Sequence, residues 1–179
     1  MADGFRDGVV RNRFGFYELE HKPTQSELDD YYSRKYYQEG KGHYSHAYAP
    51  SEIQYFRAKF AQRALVIDRL LRPAEGPRSL LDVGAGEGWA LAYFKEQGWR
   101  CTGLDYSDDG CRRHNPDCLR DIILGDIPAR LEEMLAQGRK FDVLWLDNVL
   151  EHLLDPLKSL RAFAGLVRPG GLLVIEVRS

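Results

Sequence analysis

At 179 residues and a formal charge of −2, the chain has the size of one domain, with room for a core burying roughly 70% of the unfolded surface. The near-neutral charge argues against duplex DNA or an anionic membrane surface as a partner, and no apolar run approaches the ~20 residues that a membrane span requires. The N-terminal MADGFRDGVVRNR lacks the apolar stretch of a secretory signal. Cys101, Cys111 and Cys118 are too few, and odd in number, for a disulfide framework, so the chain reads as cytoplasmic.

Up to about Pro50 the sequence is polar, aromatic and weakly periodic, with Tyr31, Tyr32, Tyr36, Tyr37, Tyr44 and Tyr48 around Gly40 and Gly42. Residues 26–37 are expected to form a short helix capped by Thr24 or Ser26, and 40–50 a loop. The tyrosines read either as a lid contributing to a pocket or as an aromatic pad on a sheet. From Ser51 the period changes: Ile53, Phe56, Phe60, Ala64, Ile67 and Leu71 recur three or four apart. That spacing predicts an amphipathic helix over 51–71, with Ser51 at its N-cap and Pro73 beyond its end. Past Pro77, short apolar runs at 79–83, 100–104, 122–124, 143–146 and 172–177 alternate with helical or turn-rich stretches at 90–97, 108–114, 128–137 and 156–167. Such alternation predicts an α/β fold with a parallel sheet and crossover helices, and right-handed crossovers restrict it to a few doubly wound arrangements. Residues 1–50 are then an N-terminal extension or lid, and 51–179 the core.

Open α/β sheets bind ligands at the carboxyl ends of their strands, and the chemistry gathers there. In LLDVGAGEGWAL, Gly84, Gly86 and Gly88 stand where a strand turns at once into a helix. Glycine there lets main-chain N–H groups approach a ligand, and the acidic Asp82 precedes the first glycine by two positions. A dinucleotide site would read G-x-G-x-x-G/A, but Trp89 stands where the third small residue belongs. Glu87 adds a negative charge near the expected pyrophosphate, so NAD is disfavoured.

The D-V-G-A-G-E-G run resembles motif I of the class I S-adenosylmethionine (SAM) dependent methyltransferases, and later segments follow in order. TGLDYS ends the second strand, LGDI the third, FDVLWLDNVLEHLLDP follows the fourth, and LVRPGGLLVIEV is similar to the turn and fifth strand. The ubiquinone-biosynthesis-like and sugar-modifying branches, of methyltransferase type 11/12, are the ones resembled. The resemblance implies a Rossmann-like open sheet of strand order 3-2-1-4-5, with helices on both faces. It implies SAM as cofactor, S-adenosyl-L-homocysteine (SAH) as product and a small-molecule acceptor. It places Asp105 on the ribose, Tyr106 and Ile127 against the adenine, and Asp126 near the adenine amino group. Asp82, Gly84, Ala85, Gly86, Gly88, Asp147 and Asn148 complete the cofactor set, and His152 is the candidate general base.

Each residue also has a plainer reading. Asp105 and Asp126 are favoured helix-cap types, with Pro128 suited to N1. His152, with Glu151, also reads as the start of a helix whose backbone it bonds, and Trp89 and Trp145 as packing residues. Asp82 lies inside a strand, where hydrogen bonds from the glycine loop or a ligand amino group would offset its burial. Cys111, His114 and Cys118, and His43 with His46, lack paired CxxC or HExxH organisation, so no metal site is expected. The resembled fold continues with a helix and two more strands, whereas this sequence stops at Ser179. The expectation is a truncated core whose fifth strand offers an unpaired edge for a partner or a second copy. The alternative function is a SAM-binding module or inactive remnant with an interaction role.

Overall fold

The computed structural model describes residues 8–31, 47–73 and 75–177. Tyr32, Tyr36, Tyr37, Tyr44, His43 and His46 therefore lie outside the described residues, and with them the comparison of lid against aromatic pad. The chain opens with a feature the sequence reading lacks, an antiparallel hairpin of β1 (Val9–Arg11) and β2 (Tyr17–Leu19). Three-residue strands with exposed Phe14, Tyr17 and Leu19 bury too little to produce a legible alternation.

Helix α1 (Gln25–Asp30) begins at Thr24, whose hydroxyl accepts from Glu27 N–H while Glu27 returns a bond to the Thr24 N–H at 2.8 Å. Its first residue is thus Gln25 rather than Ser26. Helix α2 (Pro50–Leu70) also starts one residue earlier than its expected cap. Pro50 occupies N1, where a missing N–H costs nothing, and Glu52 accepts from the Ala49 N–H at 2.8 Å; Ser51 is already inside the helix.

The five-stranded sheet consists of β3 (Ser79–Val83), β4 (Arg100–Asp105), β5 (Ile122–Leu124), β6 (Phe141–Asp147) and β7 (Val167–Glu176). Every pairing is parallel and the order is β5-β4-β3-β6-β7, which is 3-2-1-4-5 counted from the first sheet strand. The crossovers carry α3 (Trp89–Glu96), α4 (Asp109–His114), α5 (Ile127–Ala136) and α6 (Pro156–Leu166).

Period-two alternation divides the core. Leu81 and Val83 of β3, with Leu144 and Leu146 of β6, pack against Leu131 and Met134 of α5 and Phe163 and Leu166 of α6. Leu80, Val143 and Trp145 point the other way, onto Phe60 and Ile67 of α2 and Phe94 of α3. The sheet is therefore covered on both faces, and its topological switch point falls where β3 separates β4 from β6. Asp82 shares the side of Leu80, where alternation alone would call for an apolar residue.

Candidate functional site

The turn after β3 holds its shape through backbone conformations that favour glycine. Gly84, Gly86 and Gly88 have φ of 74°, 54° and 76°. Gly84 also has no room: a Cβ there would lie 2.4 Å from Val149 Cγ2 on the opposite loop. The loop's N–H groups are fixed from β4, since Gly84 and Ala85 donate to Leu104 O at 2.7 and 3.2 Å and Gly86 donates to Asp105 Oδ2 at 2.7 Å. Gly88 donates to Ala85 O at 2.8 Å and leads into α3.

Asp105 is consequently not a helix cap, a position that Asp108 holds for α4. Burial pushes its carboxyl up, while N–H donors from Gly86, Ser107 and Tyr106 pull it down. Asp126 does cap α5, its Oδ1 accepting from Ala129 N–H at 2.8 Å. Its Oδ2 serves a second set of donors, Gln25 Nε2 at 2.7 Å and the Tyr106 hydroxyl at 3.2 Å. The capping reading of Asp126 therefore holds on one oxygen, while the other faces donors from Gln25 and Tyr106.

Among the described residues, two acceptors near the switch point stand without matching donors. Asp82 is 3% exposed, and the glycine-loop N–H groups that could have met it are bonded elsewhere. Burial, followed by the charges of Asp147 and Asp105, raises its carboxyl to about 8. Asn148 Oδ1 is buried and takes no hydrogen bond among the described residues. Asn148 has φ 56°, a left-handed conformation that asparagine tolerates, and its Nδ2 donates to Asp147 Oδ1 at 2.9 Å. The other Asp147 oxygen accepts from Lys59 Nζ of α2 at 2.8 Å. Lys59 also meets Glu176 Oε1 at 3.2 Å, and Arg63 pairs with the same carboxylate, so α2 clasps the ends of β6 and β7.

A cleft of about 1200 Å³, counting its open mouth, lies over this end of the sheet. Gly84, Asp105, Tyr106, Ile127, Asp147 and Asn148 line it, as does His152. Ala85, Gly86 and Gly88 form the turn beside it, Asp82 lies in β3 just before that turn, and Asp126 reaches its wall through Tyr106 and Gln25. His152 lies in the 3-10 turn Leu150–His152 rather than at a helix start, because α6 begins four residues later at Pro156, capped by Asp155.

Glu87 turns away from the cleft. Its carboxylate accepts from the Tyr48 hydroxyl at 2.9 Å and Trp89 Nε1 at 2.8 Å, with His114 Nε2 at 3.4 Å. The charge argument against a pyrophosphate therefore falls, whereas the bulk of Trp89 at the third small position stands. Cys111 and Cys118 are buried in an apolar cluster with Ala85 and Leu91. Among the described residues no three potential metal ligands converge. Gln25, Lys59 and Val149 are absent from the sequence-based site. Gln25 and Lys59 arrive through long-range contacts that no local motif announces, whereas Val149 sits next to Asn148 in the stretch after β6.

A glycine turn at the switch point of a parallel sheet, with acidic residues after successive strands, defines an α/β protein built to hold a nucleotide-like ligand. The chain belongs to the family described as methyltransferase domain, whose model matches residues 53–179. It is 31% identical over 132 residues to the ubiquinone biosynthesis O-methyltransferase of Caulobacter sp. strain K31, covering 73% of this chain and 52% of the relative. To the protein of that name from Parvibaculum lavamentivorans it is 29% identical over 137 residues, 76% of this chain and 54% of the relative. The chain thus spans about half the length of the curated relatives it matches. Among solved structures, plantazolicin methyltransferase BpumL, in complex with a pentazolic desmethylPZN analog and SAH, shares the fold with a TM-score of 0.51 at 17% identity. That match covers 73% of this chain and 49% of the other.

Proposed function

We propose that the protein is a SAM-dependent methyltransferase that passes a methyl group to a small-molecule acceptor and releases SAH. The observation that carries this reading is the pair of underused acceptors at the switch point, the raised Asp82 carboxyl and the orphaned Asn148 Oδ1. A ligand bearing an ammonium group supplies donors to both and a positive charge that favours the Asp82 carboxylate. Family membership and the names of the relatives agree with it.

When bound, SAM supplies a methyl carbon on a sulfonium, already activated towards an attacking nucleophile. The residues of this chain have the tasks of holding and orienting. Asp105 accepts from the ribose hydroxyls while its Oδ2 keeps the Gly86 N–H, so ligand and loop are positioned by one carboxylate. Ile127 and Tyr106 give the base an apolar wall, with Asp126 beside them to accept from its amino group. Gly84, Ala85, Gly86 and Gly88 let the chain pass close to the ligand. Asp82, Asp147 and Asn148 gather around its amino group. His152, exposed on the cleft-lining turn, takes the acceptor's proton as the acceptor atom attacks.

Residues 51–179 act as the cofactor core and 1–50 as an extension reaching the cleft rim through α1. No helix among the described residues is long and apolar enough to cross a membrane. The free thiols of Cys101, Cys111 and Cys118 agree with a cytoplasmic setting, and the charge of −2 agrees with a small acceptor rather than nucleic acid. Titration calorimetry with SAM, SAH and NAD tests the cofactor: binding of SAH without NAD is expected, and binding of NAD alone overturns the reading. A methyl-acceptor screen with His152→Ala then tests the chemistry. Turnover should fall roughly 10²- to 10⁴-fold with the SAH dissociation constant unchanged. Unaltered turnover removes His152 from the mechanism, and SAM binding with no acceptor methylated would mark a binding module.

A further inference from the structure

Gln25 belongs to none of the motifs that lead to the cleft, yet it lines the cleft wall from the first position of α1, 101 residues from the carboxylate it meets. Its Nε2 donates to Asp126 Oδ2 at 2.7 Å and to the Tyr106 hydroxyl at 3.1 Å, and Tyr106 donates to the same Asp126 oxygen at 3.2 Å. The other oxygen, Oδ1, holds the Ala129 N–H that caps α5. A carboxylate offers about four lone-pair sites over two oxygens, so Oδ2 already carries its share of donors. A further donor reaches that oxygen only if one of the present two leaves. Tyr106 follows directly from a central sheet strand. Gln25 is half-buried on a six-residue helix outside the sheet, and is the donor of the two that leaves.

We propose that Gln25 sets the affinity of the cofactor site: its carboxamide NH₂ stands in for the amino group of a purine at Asp126 Oδ2, and a ligand that uses this oxygen displaces it. The proposal rests on the SAM reading above. The two competing groups are chemically alike, each a neutral, planar NH₂ conjugated to an sp² carbon that presents its N–H to a carboxylate in plane. The protein thereby keeps a half-buried carboxylate satisfied before the ligand arrives. The apparent affinity is lowered by the fraction of molecules in which Gln25 still holds Asp126.

The test is calorimetric titration of SAH into wild type, Gln25→Met, Asp126→Ser and the double variant. Methionine keeps the length of the side chain without a donor. Serine keeps the capacity to cap α5 but cannot reach Gln25. Gln25→Met should bind SAH roughly three- to tenfold more tightly than wild type, and the gain should vanish in the Asp126→Ser background. Amide hydrogen exchange across α1 should quicken when SAH is added to wild type. Equal or weaker binding by Gln25→Met overturns the proposal, as does a gain that survives in Asp126→Ser. If wild type binds neither SAM nor SAH, the methyl-donor reading itself has failed, an outcome distinct from either.

Discussion

Asp82 is held as an acid by its surroundings: burial first, then the negative charges of Asp147 and Asp105, bring its carboxyl from 3.8 to about 8. Because the folded state binds this proton more tightly than the unfolded chain, the group's contribution to stability is fully present below the unfolded value. It is lost as pH rises towards 8. Asparagine fills the same space without the titration. Ligand-free Asp82→Asn should therefore melt higher than wild type, with an advantage growing from pH 4 to pH 8 and at most on the order of 4 kcal/mol at pH 7. A ligand ammonium reverses the preference by favouring the carboxylate, so wild-type SAH affinity should rise between pH 6 and pH 8 and Asp82→Asn should lose that slope. Melting curves and calorimetry at the two pH values check both, and a variant less stable than wild type at pH 8 contradicts the account. Asp105 differs because it anchors the loop even without ligand, through Gly86. Asp105→Asn should keep the fold and lose roughly 10- to 100-fold in SAH affinity, the worth of one or two charge-assisted bonds. Asp105→Ala should lose stability as well, and unchanged affinity in the asparagine variant would leave Asp105 a loop anchor alone.

The glycine turn and the loop after β6 are fitted to each other. Gly84→Ala meets two separate penalties, a left-handed φ that costs a non-glycine residue roughly 1–2 kcal/mol and a methyl pressed into Val149. The combination with Val149→Ala removes the second penalty only. The double variant should regain part of the lost melting temperature, and no recovery would mean that the clash is not what destabilises the turn. This pairing also shows which parts of the molecule are legible in sequence. The strands at 79–83 and 122–124 end where their apolar runs end, most clearly in β3, whose burial between two helical layers calls for a nearly continuous apolar run. Strand β7 starts at Val167, five residues before its apolar run, since Arg168, Pro169 and Gly170 read as a turn while the backbone already runs beside β6 with a register shift between Phe141 and Val143. The site carboxylates are legible because each stands at or within two residues of a strand's end, Asp105 and Asp147 as the last residues of β4 and β6. Lys59 reaches Asp147 across 88 residues and Gln25 reaches Asp126 across 101, and such pairings leave no periodic trace. The outward direction of Glu87 has no local signal either, since its partners Tyr48 and His114 come from distant segments.

For the whole molecule, the two sheet edges are unequal. The edge strand β5 has three residues, too short to template another strand, whereas β7 has ten residues and pairs only with β6 among the described residues. Its outer half reads LLVIEV but is only half covered, with Ile175 and Val177 exposed, whereas the neighbouring β6 is buried almost throughout. Beside it, Leu65, Val66 and Leu70 of α2 are 62%, 56% and 63% exposed, so apolar surface continues from the edge onto the helix. Unpaired backbone donors next to such a surface favour strand addition, and a second copy of the chain supplies a matching edge. A symmetric pairing of two β7 strands would run antiparallel and satisfy both rows of backbone groups at once. The 179-residue chain should therefore associate as its concentration rises, and light scattering coupled to size exclusion should record dimer mass in the micromolar range. Ile175→Lys places a charge on the edge, a substitution that natural sheets use to prevent pairing, and should return the chain to monomer mass without lowering its melting temperature by more than about 1 kcal/mol equivalent. Monomer mass for the unaltered chain at every concentration would show that the edge is protected in another way. Dimer mass persisting in Ile175→Lys would move the contact from β7 to the exposed face of α2, where Leu70→Lys is the matching substitution.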